Sequence, residues 1–413
     1  MEKNILPSLK KQPVIISQSQ HNIAHAEIGR NACKVLTKLE KAGFTAYLVG
    51  GGVRDLLLGL HPKDFDVVTD ARPEQIRKLF TNCILVGRRF RLAHVRFGRE
   101  TIEVATFRAE TKHRCSKHGM LLRDNYYGSI EEDVWRRDFT VNALYYSISD
   151  SVVIDYVGGM QDLRKKIIRI IGNPEERYRE DPVRMLRAIR LAAKLKFNIA
   201  KSATKPFKSL GLLIKNISAA RLFDEVTKWF HSGSSLAVFE LLCKYKLFVI
   251  LFESVAKSLR DNKKVAVMLR HGFANTDARL RENKTINPAF LYAVLLWWPL
   301  QEQIKLLCGS NNMSEFVALC QAIEDILQQQ KVRIVLPRRL IFTIKDIWKM
   351  QYQLAQKKKC IIYYVLVHPK FRAAYDFLLL RAQAGERVKA LAQWWTLIQE
   401  VSEKECEKMI AAR

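Results

Sequence analysis

Apolar side chains recur along the first 160 residues with two rhythms, one of helices and one of strands. Ile23, Ile28, Ala32, Val35, Leu36 and Leu39 share one face of a helix predicted over Asn22–Lys41, which Gly43 ends. Ala46–Val49 reads as a short buried strand, followed by the glycine triplet Gly50–Gly52 and a short helix, Val53–Leu58, closed by Gly59. Phe65–Thr69 predicts a second strand, and Pro73 opens a helix through Phe80. Strands follow at Cys83–Val86, Ala93–Phe97 and Thr101–Phe107. Ala109–Ser129 is polar, without periodicity, and predicts a loop. Glu131–Asn142 returns to helical spacing, Tyr145–Tyr156 alternates as a hairpin, and Gly158-Gly159 closes the unit. Beyond Asp162 the strand signal fades. Helical spacing then marks Asp181–Phe197, Arg221–Phe230, Ser235–Leu247, Pro288–Trp298, Ser314–Gln328, Arg339–Gln356 and Arg372–Arg387. The expected architecture is α+β, a mixed-sheet domain followed by a long helical arm without tandem repeats.

Composition adds a partner class. The 413 residues exceed what one core organises, and 48% are hydrophobic, enough for sizeable cores. Lys and Arg number 69 against 41 Asp and Glu, a net charge of +28 that gathers polyanions, nucleic acid above all. A membrane surface would call for a strongly amphipathic basic helix or a lipidation signal, and neither is present. The N-terminal stretch lacks the apolar core and small-residue cleavage site of a signal peptide, and Leu291–Leu300 is apolar but too short to span a bilayer. The eight cysteines are dispersed without a CxxC pair, as in reduced cytoplasmic proteins. His113, Cys115 and His118 cluster in a basic stretch without a second ligand pair, so no zinc site is expected there.

Four segments carry candidate chemistry. Gly50-Gly51-Gly52-Val53-Arg54-Asp55 turns a strand into a helix; glycines admit close approach of phosphate oxygens to backbone N–H groups, although such turns are common. In Lys63-Asp64-Phe65-Asp66, residues two apart in a strand share a face. Asp64 and Asp66 then project together, and a hard divalent cation offsets their repulsion. In Arg136-Arg137-Asp138-Phe139-Thr140-Val141-Asn142, Asp138 is a third carboxylate, able to complete a metal site or to receive a ribose hydroxyl. Arg137 is suited to bidentate pairing with phosphate. In Glu180-Asp181-Pro182-Val183-Arg184-Met185-Leu186-Arg187, Asp181 caps a helix, and Arg184 and Arg187 fall on one face.

Together these segments resemble the class II nucleotidyltransferases, the family of bacterial poly(A) polymerases and CCA-adding enzymes. LVGGGVRD (48–55), the Asp64/Asp66 pair, RRDFTVNA (136–143) and EDPVRMLRAIRLAA (180–193) match its ordered motifs, and the likeness runs on from about Ser17. Residues 85–95, 119–125 and 368–376 look like the polymerase branch. The resemblance implies a head of DNA polymerase β-like fold and an elongated helical neck, body and RNA-binding region. It implies addition of AMP from ATP to RNA 3′ ends with release of pyrophosphate, and two Mg²⁺ ions on Asp64, Asp66 and Asp138. The triphosphate would lie against Gly51, Gly52, Arg54 and Arg137, with Asn142 nearby, and Asp181, Arg184 and Arg187 would serve the nucleotide. RNA 3′ ends and ATP are the implied partners, RNA-decay or RNA-chaperone proteins further ones, and a bacterial cytoplasm the implied location.

The corresponding layout is a flexible segment (1–20), catalytic head (21–160), neck (161–230), body (231–335) and basic RNA-binding region (336–413). Lys357-Lys358-Lys359, Arg338-Arg339 with Lys345, and Lys370 with Arg372 are its basic runs; Tyr352, Trp394 and Trp395 are candidates for stacking on bases, with core packing the alternative for the tryptophans. The chain ends at Ala411-Ala412-Arg413, without the arginine-rich tail that often follows in this branch. CCA addition to tRNA is the alternative of the same chemistry, and a non-catalytic RNA-binding protein the alternative of another class. A phosphohydrolase of the HD type is disfavoured, since no HD ligand pair occurs in the arm.

Overall fold

The alternating pattern of the first third folds into a mixed sheet whose strands run β1 (Val14–Ile16), β2 (Ala46–Val49), β3 (Asp66–Thr69), β4 (Cys83–Val86), β5 (Leu92–Phe97), β6 (Glu100–Thr106), β7 (Leu144–Ser147) and β8 (Val152–Asp155). The computed structural model describes residues 12–87, 91–109, 126–311 and 313–412. Most of the expected loop, the His113/Cys115/His118 cluster, the 119–125 stretch and Arg88–Phe90 lie outside them. The strand order is β1-β8-β7-β2-β3-β6-β5-β4, with β3 and β6 parallel and the other neighbours antiparallel. Val14–Ile16, inside the segment expected to be flexible, pairs with β8 as an edge strand.

Helices α1 (Arg30–Lys41), α2 (Gly51–Leu57), α3 (Pro73–Leu79), α4 (Ile130–Arg136), α5 (Gly159–Arg164), α6 (Pro174–Glu180) and α7 (Val183–Leu195) accompany the sheet. Two of them differ from expectation, each for a local reason. The first starts at Arg30, because residues 25–27 form a 3-10 turn and Gly29 caps the helix where Phe65 crosses it. The helix expected to reach Asn142 stops at Arg136, and Arg137 turns extended (φ −66°, ψ 164°). Phe139 then bridges to Ile170, and Asp138 accepts from the Ile171 N–H through its carbonyl. The apolar spacing therefore continues through a change of backbone direction. Val49, Val68, Val134, Ala143, Tyr145 and Ile171 close one core beneath that turn.

The chain divides into two compact units, Met1–Leu210 and Gly211–Arg413. The stretch expected to be a neck (161–230) is thus split, and the part through Leu210 belongs with the sheet. β9 (Ile167–Ile168) and β10 (Asn198–Ile199) pair in parallel there, and α8 (Lys201–Thr204) and α9 (Phe207–Leu210) complete the unit.

The second unit is helical: α10 (Ala219–Phe230), α11 (Ser235–Lys244), α12 (Phe248–Leu251), α13 (Glu253–Asp261), α14 (Lys263–Arg281), α15 (Pro288–Asn311), α16 (Glu315–Arg333), α17 (Arg338–Leu354), α18 (Lys359–Val367), α19 (Phe371–Gln383), α20 (Lys389–Leu397) and α21 (Glu403–Ala411). Trp229, Phe230, Phe252, Phe273 and Tyr292 form an aromatic centre, with Trp229 and Phe273 rings 5.0 Å apart. Among the described residues no helix is long and apolar enough to cross a membrane.

Asp155 locks the end of the β7–β8 hairpin. Its carboxylate, 4% exposed, accepts the N–H groups of Val157, Gly158, Gly159 and Met160 at 2.8–3.0 Å, seating the start of α5. Asp155→Ala strands these donors and is expected to cost about 2–4 kcal/mol in urea unfolding. A change within ~0.5 kcal/mol would show that water replaces the carboxylate there.

Candidate active site

The site is built around Phe65. Its buried ring lies between two helix starts: a methyl at Gly29 would come within 3.0 Å of the ring, and one at Gly52 within 3.4 Å of the ring and 3.3 Å of the Asp64 carbonyl. Gly52 therefore serves close packing of α2 on the segment before β3. Gly50 is the glycine its backbone demands, with φ +79°, and a methyl there would lie 3.6 Å from Asp66 Oδ2 and 3.9 Å from Arg137 Nη1. Of the two glycines expected to line the triphosphate, Gly51 is partly exposed and Gly52 is buried.

Asp64 and Asp66 do not sit in one strand as the spacing suggested. β3 begins at Asp66, and Asp64 lies just before it; both are exposed to solvent. The acid that the sheet sets beside Asp66 is Glu103, its register partner on β6, and Glu103 in turn faces His94 on β5 with Oε1 3.6 Å from Nε2. Although the Asp66 side chain keeps an open edge, the protein around it pushes its carboxyl up to about 6. Burial contributes most; Glu103 and Asp64 add to it, and Arg137 opposes it. Acids crowded this way fit a divalent cation that would neutralise them. Among the described residues no group of three or more His, Cys, Asp or Glu is placed to hold a metal ion. A pair of carboxylates suits Mg²⁺, which keeps several waters and takes its remaining ligands from phosphate oxygens.

Asp138 has other partners. Oδ2 accepts from Arg187 at 2.8 Å (Nε) and 2.6 Å (Nη2), and Oδ1 accepts from the Phe139 N–H at 2.8 Å and Asn142 Nδ2 at 3.2 Å. Asn142 Oδ1 accepts from Arg54 Nη1 at 2.6 Å. Arg54, 5% exposed, also holds Asp55 Oδ1 at 2.8 and 2.6 Å, and Lys194 of α7 reaches Asp55 Oδ2 at 3.5 Å. The glycine, RRD and EDPVR segments are thereby joined in one polar circuit. Arg54, expected to meet triphosphate, is a structural member of it in this conformation.

Arginines crowd the other side. Arg137 donates to Asp133 at 2.8–3.0 Å and to Tyr145 Oη at 2.7 Å. Arg177 Nη2 donates to the carbonyls of Arg136 and Arg137, both at 2.8 Å, and Glu180 Oε2 accepts from Arg177 at 2.6 Å and from Arg184 at 2.8 Å. Burial and the neighbouring Arg108, Arg177, Arg184 and Arg137 push the Arg136 guanidinium down to about 10. Like charges packed so closely favour an anion. Arg184 and Arg187, expected on one face, diverge to Glu180 and Asp138. Asp181 ends α6, and its Oδ1 accepts from Val183 N–H at 3.3 Å. Glu103, Arg108 and Arg177 were missed in the sequence because each becomes part of the site only through strand register or helix packing.

In the second unit the stacking candidates resolve differently. Trp395 is fully buried and donates to the Leu354 carbonyl at 3.0 Å, Trp394 packs edge-on to it, and Tyr352 lies against Phe316 at 5.3 Å.

The family described as "Poly A polymerase head domain" matches residues 46–169, "Probable RNA and SrmB- binding site of polymerase A" matches 196–259, and "Polymerase A arginine-rich C-terminus" matches 311–413. Poly(A) polymerase I of Salmonella typhi is 47% identical over 408 residues, spanning 96% of this chain and 88% of that protein. The CCA-adding enzyme of Staphylococcus haemolyticus is 30% identical over 351 residues, spanning 79% and 84%. The crystal structure of the Bacillus stearothermophilus CCA-adding enzyme in complex with CTP superposes with a TM-score of 0.56 at 25% identity, covering 88% of this chain and 80% of that one.

Burial alone would raise the Asp138 carboxyl, but Arg187, Asn142 and the Phe139 N–H hold it below the ordinary carboxylate range. A depressed folded pKa gives stability that is complete above the unfolded value, near pH ~4, and is lost as pH falls through the folded one. Arg187→Ala is therefore expected to cost about 2–4 kcal/mol at pH 7, below the fully buried limit because Arg187 is 38% exposed. The cost should shrink below pH ~4. Urea unfolding at several pH values reads this out, and an equal cost at all of them refutes the Asp138–Arg187 coupling.

Proposed function

The chain belongs to the bacterial poly(A) polymerase family and is a nucleotidyltransferase that extends RNA 3′ ends, and we propose that it adds AMP from ATP without a template and releases pyrophosphate. The preference for AMP is supported by the higher identity to Poly(A) polymerase I, 47%, than to the CCA-adding enzyme, 30%. Promotion of RNA decay, and contact with decay or chaperone proteins, belong to the same reading, as does a cytoplasmic setting.

The observation that carries the site assignment is the meeting of acids and arginines across Gly50: Asp66 with Glu103 and Asp64 on one side, Arg137 with Arg136, Arg108, Arg177 and Arg184 on the other. Asp64 and Asp66, with Glu103 beside them, would hold two Mg²⁺, which when bound supply a lowered 3′-hydroxyl pKa and charge neutralisation on the leaving group. Arg137, the arginine beside Gly50, suits the triphosphate, with Gly51 at its edge. Asp138, fixed by Arg187 and Asn142, suits the ribose better than the metal, since two donors already occupy Oδ2. Asp181 accepts from adenine N6 and Arg184 donates to N1, so side chains rather than a template choose the base. The RNA 3′-oxygen attacks the α-phosphorus in line with departing pyrophosphate; its proton passes to solvent or to a carboxylate, and no Ser or His nucleophile takes part.

Extension of 5′-labelled RNA with Mg²⁺ and each NTP separately tests this reading. Long ladders with ATP alone are expected, reduced about a thousandfold or more in Asp66→Ala. Glu103→Gln should raise the Mg²⁺ concentration needed for half-maximal rate, whereas Asp138→Asn should chiefly raise KM for ATP. The reverse pattern returns the third metal carboxylate to Asp138. Two or three residues added from CTP and ATP only to a tRNA lacking its 3′ end would assign the chain to CCA addition. RNA binding without extension by any NTP would leave a non-catalytic RNA-binding protein.

A further inference from the structure

The basic run at Lys357–Lys359 leads into a helix face that stays exposed among the described residues. α18 turns Ile362 and Val365 inward, where they join the core of Leu354, Leu378 and Trp395. Its opposite face carries residues 360, 363, 364 and 367, the i, i+3, i+4, i+7 spacing of one helical stripe. Tyr363 is 47% exposed, Tyr364 51% and Val367 81%. Lys357, Lys358, Lys359 and Cys360 are exposed at the leading end. At the trailing end Tyr364 packs on His368 with ring centroids 5.5 Å apart, and the turn into α19 brings Lys370 and Arg372. From 357 to 372 there is no Asp or Glu, against the cations Lys357, Lys358, Lys359, Lys370 and Arg372. Asp376 pairs with Arg372 at 3.0 Å, leaving the Arg372 side chain 74% exposed.

We propose that this face of α18 is a docking platform for single-stranded RNA, in which Tyr363 and Tyr364 stack on bases and the lysine run follows the phosphates. The inference rests on the RNA-extending function and names a site for its polymer. Charge complementarity commits the face to a polyanion: a second copy of a chain of net charge +28 is repelled. Two neighbouring aromatic rings with flanking cations are the elements of sequence-tolerant single-strand binding. A duplex keeps its bases stacked and offers them nothing. The aromatic residues that looked suited to this role in the sequence, Trp395 and Tyr352, are taken up in packing, whereas these two tyrosines keep about half of their surface exposed.

The test is fluorescence anisotropy of the full chain with a labelled single-stranded A20 RNA and with a blunt RNA duplex. Tyr363→Ala/Tyr364→Ala is expected to weaken A20 binding about ten- to a hundredfold, with little change for the duplex. Tyr363→Phe/Tyr364→Phe, which keeps the rings, should stay within about threefold of the parent. Lys357→Gln/Lys358→Gln/Lys359→Gln should flatten the slope of log K against log salt by about 2. Both tyrosines are exposed, and matching melting curves will show that the variants fold. Unchanged A20 affinity in the double alanine variant overturns the proposal. So does loss of binding to vesicles containing anionic lipid while A20 affinity stays unchanged, since the face would then be a membrane contact. Failures remain separable. A parent that extends RNA while the alanine pair binds normally sinks only the platform. A parent that binds A20 through the tyrosines but extends nothing sinks only the enzymatic reading.

Discussion

The position of the acids depends on how one aromatic ring is packed. Phe65 is held where Gly29 begins α1 and Gly52 lies in the first turn of α2, and neither neighbour has room for a side chain without movement. Because Phe65 lies between Asp64 and Asp66, fixing its ring fixes the backbone that presents both carboxylates. The same contact brings the glycine turn against the acids. Without it, two like charges would relax apart into solvent. The buried ring supplies the packing energy that holds them near each other, and the pairing of Val49 with Asp66 and of Asp66 with Glu103 completes the constraint from either side.

That arrangement stores opposed electrostatic stress. Burial first, and then Glu103 and Asp64, make Asp66 harder to ionise than a free aspartate, while burial and then the surrounding arginines make Arg136 easier to deprotonate than a free arginine. Neither half reaches its preferred state alone. On the proposed reading a magnesium nucleotide would bring a cation for the first and an anion for the second, so that its binding would relieve both halves at once. Arg137, near Gly50 and tied to Asp133 and Tyr145, stands between the two groups: it opposes the shift of Asp66 and adds to the crowding around Arg136.

The sequence showed what local chemistry can show. Strand and helix rhythms located β2 to β8 within a residue or so but not β1, the four motifs marked most of the site, and the helical character of the arm was plain from its spacing. What escaped it depends on distant contacts. Glu103 looks like the polar member of a half-buried strand, and nothing nearby in sequence says that β6 runs parallel to β3. The helix through Asn142 fails at Arg137 because the segment is recruited by Ile170 and Ile171, thirty residues on. Trp395 and Tyr363 are both aromatic residues on basic helices; only packing decides that the first is core and the second is surface.

The polar circuit explains why motifs so far apart must occur together. Arg54 from the glycine motif meets Asn142, Asn142 meets Asp138, Asp138 meets Arg187 of α7, and Lys194 on the same helix returns to Asp55. Arg177 adds a second brace by holding the carbonyls of Arg136 and Arg137. The residues suited to reading a base and those suited to holding phosphate are thus carried on elements that cannot shift independently. For an enzyme without a template this is a requirement, since selection by side chains helps only if the chosen nucleotide arrives with its α-phosphorus already placed for attack. On the proposed reading the buried arginines of this unit would fix the distance between selection and chemistry that a second strand sets in templated synthesis.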